Sequence, residues 1–170
     1  LTRTLTREEN VESCKENLHE GLSIIAQRAI NLTDFVNSYK QITLLPEPQK
    51  QQVSIANLVN KVIPLYPNNK ITVSSPKDVA LNIDPIQFEQ VLINLFKNAV
   101  ESMQSISSTG EVNVSWQVIH NQFKLTISDE GTGISNVDNL FVPFYTTKKH
   151  GSGIGLVFCR QVLEVHQGQL

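Results

Sequence analysis

Residues 94–101 read Asn-Leu-Phe-Lys-Asn-Ala-Val-Glu, within a segment whose apolar residues have helical spacing. Asp84 is a favoured N-cap and Pro85 a favoured first residue, so the sequence predicts a helix from there to about Met103. Asn94 and Asn98 are four residues apart and lie on one line of that helix. This line borders a predicted buried stripe of Phe88, Val91, Leu92, Leu95 and Ala99. Amide oxygens suit Mg²⁺ that also carries phosphate, although a pair of surface or capping asparagines is the alternative.

A carboxylate followed by two glycines comes directly after a β-rich run at residues 123–128. The segment is Asp129-Glu130-Gly131-Thr132-Gly133. A carboxylate beside bare backbone can accept a hydrogen bond from the 6-amino group of adenine, and it would repel the 6-oxo group of guanine. The alternative is a simple Asp-x-Gly turn.

The next segment joins apolar anchors to a basic run, Leu140-Phe141-Val142-Pro143-Phe144-Tyr145-Thr146-Thr147-Lys148-Lys149. This pattern is typical of a loop whose apolar start is anchored in the core and whose polar part forms a lid. The lid is predicted to be mobile over residues 145–152. Lys148 or Lys149 could reach a phosphate as a point charge. A surface loop with a solvated charge pair is the alternative, and it is preferred for Lys149.

A glycine-rich turn opens the last predicted helix with Gly151-Ser152-Gly153-Ile154-Gly155-Leu156. Glycines let phosphate approach the backbone, and a helix N-terminus supplies N–H donors. The spacing is neither that of a dinucleotide fingerprint nor that of a P-loop.

The N-terminal part of the chain is predicted to be one long helix over residues 6–45, ended by Pro46-Glu47-Pro48. Apolar or small residues recur about every 3.5 positions, as in a coiled-coil seam. They are Val11, Cys14, Leu18, Leu22, Ile25, Ala29, Leu32, Val36 and Tyr39. Such a helix needs a partner helix, from another chain or from missing sequence. Because the proline pair ends the helix, we expect the boundary between the helical and the globular part after residue 48.

The composition excludes several classes of function. A net charge of −2 on 170 residues gives no footprint for nucleic acid or an anionic membrane surface. No apolar run reaches the roughly 18 residues that span a bilayer. Cys14 and Cys159 are far apart and are expected to be reduced thiols. Alternating strands and helices predict an α+β fold, a two-layer α/β sandwich whose mixed sheet is covered by helices on one face.

Together and in this order, the four segments resemble the four boxes of the GHKL superfamily of ATP-binding domains, and most closely those of sensor histidine kinases. Residues 90–101 resemble the N box, residues 129–133 the first glycine box, residues 143–148 the F box and residues 151–156 the second glycine box. The resemblance covers roughly residues 53–170. The upstream helix resembles the second helix of a dimerisation hairpin.

The resemblance implies a catalytic group of Asn94, Asn98 and Lys148, in which Asn98 is the Mg²⁺ ligand and Asn94 supports the phosphates. It implies that ATP is bound by Asp129 at the adenine. The other implied ATP-binding residues shape the base pocket, the hinge and the phosphate cradle, and they are Gly131, Gly133, Thr147, Gly151, Gly153, Gly155 and Leu156.

One position separates a kinase from a hydrolase. Hydrolytic members of the superfamily carry a glutamate four residues before the metal asparagine, where this chain has Asn94, whose amide is no useful base. The expected function is therefore transfer of the γ-phosphate of Mg-ATP to a histidine on the dimerisation helix, for relay to a response regulator. The alternatives are a non-catalytic nucleotide-binding or scaffold module (a pseudokinase) and a GHKL-type ATPase.

The resemblance also implies a homodimer through the N-terminal helix, no nucleic acid, no direct membrane contact in this part, and a cytoplasmic location, with any membrane anchor outside this chain. His19-Glu20 matches only the first two residues of the phosphoacceptor motif, so the acceptor histidine is expected upstream of Leu1. Surface positions are expected for the three other histidines, His120, His150 and His166. Residues 49–170 are expected to form the ATP-binding domain, truncated at its C-terminal end.

Overall fold

The computed structural model describes residues 2–43, 45–74, 77–104, 110–134, 136–148 and 151–170, without the side chains of 2–14, 16, 31, 34, 35, 37, 38, 41 and 42. Its contacts divide the chain into two units, Leu1–Gln41 and Ile42–Leu170. The functional boundary expected after residue 48 stays a prediction.

Helix α1 spans Thr2–Thr43, so it contains all described residues of the first unit and the first two residues of the second. The helix runs through Gly21 without interruption, which confirms the predicted single helix. The described side chains of the predicted seam are exposed in this chain, namely Leu18, Leu22, Ile25, Ala29, Leu32, Val36 and Tyr39. Those of Val11 and Cys14 lie outside the described residues. None of the helices in the described ranges is both long enough and apolar enough to span a membrane.

The second unit combines short strands with helices. The strands are β1 (Gln51–Ser54), β2 (Lys70–Val73), β3 (Ala80–Ile83), β4 (Glu111–Ile119) and β5 (Gln122–Ser128), and the helices are α2 (Ile55–Val62), α3 (Pro85–Gln104) and α4 (Gly155–Val165). Strand β1 pairs antiparallel with β3. Strand β2 pairs parallel with β4, and β4 pairs antiparallel with β5, so the three-stranded sheet is mixed, as predicted.

One face of the three-stranded sheet carries the main core. Val112, Val114 and Trp116 alternate along β4 and are buried together with apolar residues of α2 and α3. The indole N–H of Trp116 donates a 2.8 Å hydrogen bond to the carbonyl of Lys77. The period of two follows from the pleat of a strand with one covered face. The layers confirm the predicted α/β sandwich.

Helix α3 is buried on two sides rather than along one stripe. Leu92, Phe96, Ala99, Val100 and Met103 belong to the sheet core, where Phe96 is 0% exposed. Val91 packs instead against Phe158, Cys159 and Val162 of α4, with Phe88 and Leu95 half-buried beside it. The predicted stripe merges these two faces and omits Phe96, because a helix between a sheet and a second helix buries a wider arc than a single seam.

Asp84 is the N-cap of α3, as predicted. Its Oδ1 accepts hydrogen bonds from the backbone N–H groups of Ile86 (2.9 Å) and Gln87 (3.1 Å), and its Oδ2 accepts one from Gln49 (2.7 Å). Burial is the largest single influence on the pKa of Asp84 and raises it, but these bonds and the nearby His166 outweigh it. The pKa of Asp84 therefore lies below its ordinary value, and the carboxylate stays charged at neutral pH.

His166 does not have the surface role that the sequence predicts. Its Nε2 accepts a 3.0 Å hydrogen bond from the backbone N–H of Asp84, and its half-buried ring packs edge-on against Phe88 at 4.9 Å. The prediction failed because the partner is 82 residues away in sequence. His120 does lie exposed in the β4–β5 turn, whereas His150 lies outside the described residues.

Cys159 is free, as expected for a reduced thiol, and its side chain is buried. Burial raises the pKa of its thiol to about 12, so it is protonated and unreactive at neutral pH.

Candidate functional site

One line of α3 carries the polar side chains of Asn94, Asn98, Glu101 and Ser102, all of them half-buried. Residues spaced by four and by seven or eight share a helix face, so the line follows from the helical period. From Asn94 to Ser102 it extends about 12 Å at 1.5 Å per residue. These side chains meet three segments that follow β5: Asn94 lies against the start of α4, Asn98 and Glu101 both contact Lys148, and Ser102 lies against Gly131.

The N-terminus of α4 lies against Asn94. A methyl group at Gly155, the first residue of α4, would come within 3.3 Å of Oδ1 of Asn94. Ile154 is buried just before it and Leu156 is half-buried just after it. Among the described residues no side chain caps this helix at its N-cap, Ile154, so its first N–H groups can serve an anion. The structure thus brings Asn94 and the second glycine box together.

The middle of the line holds a cation. The ammonium of Lys148 donates hydrogen bonds to Oδ1 of Asn98 (3.0 Å) and to Oε2 of Glu101 (2.6 Å). The structure therefore brings together two of the predicted catalytic residues, Asn98 and Lys148. It adds Glu101, to which the sequence argument gives no role. The available signal was a carboxylate three residues after Asn98, on the same face of the helix.

The first glycine box lies against the C-terminal end of the line. The backbone N–H of Gly131 donates a 3.0 Å hydrogen bond to Oδ1 of Asp129. A side chain at Gly131 would collide with Oγ of Ser102, which lies 3.4 Å from Oγ1 of Thr132. Gly131 is thus required by close packing, and Ser102 is a second residue that the sequence argument missed. Asp129 is exposed, and so is Gly133.

A close backbone contact joins the F box to the second glycine box. Gly153 has a φ of +67°, and a methyl group there would lie 2.6 Å from the carbonyl oxygen of Tyr145. The backbone N–H of Phe144 donates a 3.0 Å hydrogen bond to the carbonyl of Gly153. Only glycine tolerates both the positive φ and the close approach of the Tyr145 carbonyl without strain. Gly153 therefore allows the second glycine box to pack directly against the F box.

The remaining predicted residues lie on the turn that presents Lys148. The backbone N–H of Lys148 donates to Oγ1 of Thr146 (3.1 Å), and the N–H of Gly151 donates to the carbonyl of Lys148 (3.2 Å). Thr147 is exposed between them. Lys149 lies outside the described residues, so the predicted lid is described only in part and its mobility stays a prediction.

Three chemical functions therefore follow one another along α3. An uncapped helix N-terminus lies near Asn94, a pair of oxygens holds a cation at Asn98 and Glu101, and an exposed carboxylate lies at Asp129. This order suits a ligand with an anionic end and a hydrogen-bond donor at its other end. An open depression of about 420 Å³ lies elsewhere, beside Leu45 and Val165, and the predicted site residues do not line it.

The family comparison matches the half of the chain that contains these features. The profile of the family described as "Histidine kinase-, DNA gyrase B-, and HSP90-like ATPase" matches residues 83–170. The signal transduction histidine-protein kinase AtoS of Escherichia coli is 30% identical over 161 residues, which cover 89% of this chain and 26% of AtoS. The chain thus spans about a quarter of the length of this relative.

Solved structures show the same fold. The catalytic domain of histidine kinase ThkA, in a nucleotide-free form, superposes with a TM-score of 0.60 at 25% identity, over 68% of this chain and 80% of that one. ThkA in complex with the response regulator protein TrrA gives a TM-score of 0.64 at 21% identity, over 82% of this chain and 43% of that one. The chain belongs to the family of histidine kinase-, DNA gyrase B- and HSP90-like ATPases, and it contains a histidine kinase catalytic domain of the GHKL fold.

Proposed function

We propose that this chain binds Mg-ATP and transfers the γ-phosphate to a histidine on the dimerisation helix of a sensor histidine kinase. The observation that carries the proposal is the order of groups along α3. Asn94 lies beside the start of α4, Asn98 and Glu101 converge on a cation, and Asp129 lies beyond Ser102.

ATP fits this order with its phosphates toward α4 and its base toward Asp129. The Asp129 carboxylate accepts a hydrogen bond from the adenine 6-amino group, beside Gly131 and Gly133. Asn94 and the N-terminus of α4 support the phosphates, and the backbone around Gly151, Gly153, Gly155 and Leu156 encloses them. Thr147 and Lys148 approach the phosphates from the F-box side.

The donor set fits Mg²⁺ because Oδ1 of Asn98 and Oε2 of Glu101 already surround a cation, the ammonium of Lys148. Asn98 is the proposed protein ligand. Within the described residues, no cluster of three or more His, Cys, Asp and Glu side chains could hold a metal. This accords with an ion that takes most of its ligands from phosphates and water. When bound, Mg²⁺ neutralises negative charge on the phosphates.

Asn94 favours phosphotransfer over hydrolysis. Its amide has no useful basicity and cannot activate a water molecule. A neutral imidazole is a nucleophile without such help, so a histidine is the better acceptor. The exposed apolar seam of α1 suits a homodimer through this helix. The ThkA–TrrA complex supports a response regulator as the next partner, and a cytoplasmic location fits this relay.

The test supplies the chain with a helical hairpin that carries a phosphoacceptor histidine, together with γ-labelled ATP and Mg²⁺. We expect acid-labile label on the hairpin. Asn98→Ala should abolish the label and the Mg²⁺-dependent binding of nucleotide. Asn60→Ala, an exposed helical asparagine of the same domain, is the matched control and should change neither.

Two results would replace the proposal by its alternatives. Binding of Mg-ATP without any transfer to the hairpin would indicate a pseudokinase module. Steady release of phosphate by the chain alone would indicate an ATPase. Unchanged Mg-ATP affinity in folded Asn98→Ala would remove Asn98 from the metal site.

A further inference from the structure

Lys148 binds the same oxygens that are proposed to face the metal. Its ammonium bonds to Oδ1 of Asn98 and Oε2 of Glu101, two atoms that lie within one turn of α3. The side chains of Lys148 and Glu101 are 38% and 35% exposed, so the pair is partly shielded from solvent. Lys148 is the only one of the three that does not belong to α3, and it lies 47 residues beyond Glu101 in sequence.

A second lysine, Lys97, provides a comparison for the contact between Lys148 and Glu101. Lys97 also faces Glu101, but its ammonium is 3.8 Å from Oε1 and its side chain is 63% exposed. This is a loose pair within one helix, of the kind that contributes little. Lys148 is closer to Glu101 and also reaches the amide of Asn98. Of these two lysines, Lys148 is the one that lies between the two oxygens.

We propose that Lys148 and the divalent metal compete for Asn98 and Glu101. An ammonium and a divalent cation cannot share two oxygens at these distances, because their charges repel one another. Metal entry therefore displaces Lys148, and the released side chain becomes available to the phosphates. In the metal-free chain, Glu101 holds the ammonium of Lys148 beside Asn98. This inference rests on the proposed function only for the metal-binding role of Asn98.

The first test titrates Mn²⁺ into the chain without nucleotide and follows the free ion by electron paramagnetic resonance. Lys148→Met removes the ammonium and keeps the length of the side chain. We expect it to bind Mn²⁺ about two- to five-fold more tightly than the unchanged chain, the range for a partly exposed ion pair. Lys97→Met removes the same charge from the same carboxylate and should gain clearly less. When Asn98→Ala is combined with Lys148→Met, the tighter binding of Mn²⁺ should be lost.

The second test measures hydrogen exchange at the amides of residues 145–148 without metal or nucleotide. Lys148→Met should speed their exchange, because the side chain that ties this segment to α3 is gone. Glu101→Gln should act in the same direction although Lys148 is still present. Lys97→Met is again the control and should leave these amides unchanged.

Equal Mn²⁺ affinity in the unchanged chain and in Lys148→Met, including undetectable binding in both, would overturn the competition. So would an equal or larger gain in Lys97→Met, or unchanged exchange at residues 145–148. The proposed function fails separately. If Lys148→Met shows the gain but no variant binds a nucleotide analogue, the competition stands and the kinase proposal falls. If Mg-ATP binding requires Asn98 while Lys148→Met binds Mn²⁺ no more tightly, the kinase proposal stands and the competition falls.

Discussion

The backbone N–H of Asp84 donates a 3.0 Å hydrogen bond to Nε2 of His166, which ties the start of α3 to the end of α4. Nδ1 of the same ring lies 2.7 Å from the carbonyl oxygen of Val162, so the tautomer with its proton on Nδ1 satisfies both nitrogens. Helix α3 carries Asn98, and the N-terminus of α4 lies on the phosphate side of the proposed site. The bond therefore helps to fix the spacing of the two helices that build it.

Asp84→Ala should lower the free energy of unfolding by about 1–2 kcal/mol, the usual cost of losing an N-cap. The change leaves the N–H groups of Ile86, Gln87 and Gln49 without their acceptor. Urea unfolding measures the effect. Asp138→Ala removes an exposed carboxylate and should stay within about 0.5 kcal/mol of the unchanged chain. An equal effect of the two substitutions would contradict the capping role.

The contribution of Asp84 should depend on pH in one direction. Its pKa in the folded chain lies below the ordinary value of 3.8, so the carboxylate stabilises the fold fully above about pH 4. The contribution is lost as the pH falls through the lower, folded-state pKa. The difference in unfolding free energy between the unchanged chain and Asp84→Asn should therefore shrink below pH 4. A difference that is constant or grows between pH 7 and pH 3 would refute this.

Asp129→Asn should weaken ATP binding by about 1.5–3 kcal/mol, the range for a hydrogen bond to a charged group. The substitution keeps the shape but places a donor where a pure acceptor stood. Titration calorimetry with ATP and GTP measures both affinity and selectivity. Glu130→Gln, the same charge change one residue away, should have a smaller effect. Equal affinity of the unchanged chain for ATP and GTP would reduce Asp129 to a turn residue.

Gly153→Ala should destabilise the chain more than Gly133→Ala. Both glycines have φ near +70°, which costs an L-residue about 1–2 kcal/mol. Around Gly133 the space is open, whereas a methyl group at Gly153 would press on the backbone of Phe144 and Tyr145. The difference between the two variants in thermal or urea unfolding isolates the cost of that contact. Equal losses of stability in the two variants would show that the backbone of Phe144 and Tyr145 can move away from the added methyl group.

His19 should remain unlabelled when the chain is incubated with γ-labelled ATP and Mg²⁺. The helix α1 continues unbroken on both sides of it, so no hairpin turn separates His19 from the globular unit. In the presence of the phosphoacceptor hairpin, His19→Ala should leave transfer unchanged. Peptide mapping of label to His19 would contradict the assignment of α1 as the second helix of a hairpin.

Local sequence rules predicted what local geometry determines. The N-cap at Asp84 and the common face of Asn94 and Asn98 each depend on a few neighbouring residues. The contacts of Lys148 with Glu101 and of His166 with Asp84 join residues that are 47 and 82 positions apart, and no helical or strand period relates them. Phe96 was missed for the same reason, since its burial depends on the sheet that packs against α3.

Trp116 gives the two units different optical signatures. It is the one tryptophan of the sequence, it is 7% exposed, and it lies in the sheet core. Its fluorescence must therefore respond when the globular unit opens to water, and it should be silent when α1 alone melts. Far-ultraviolet circular dichroism, in contrast, registers both events because α1 is the longest described helix. Divergence of the two signals during denaturation would separate the stability of α1 from that of the globular unit in a single sample.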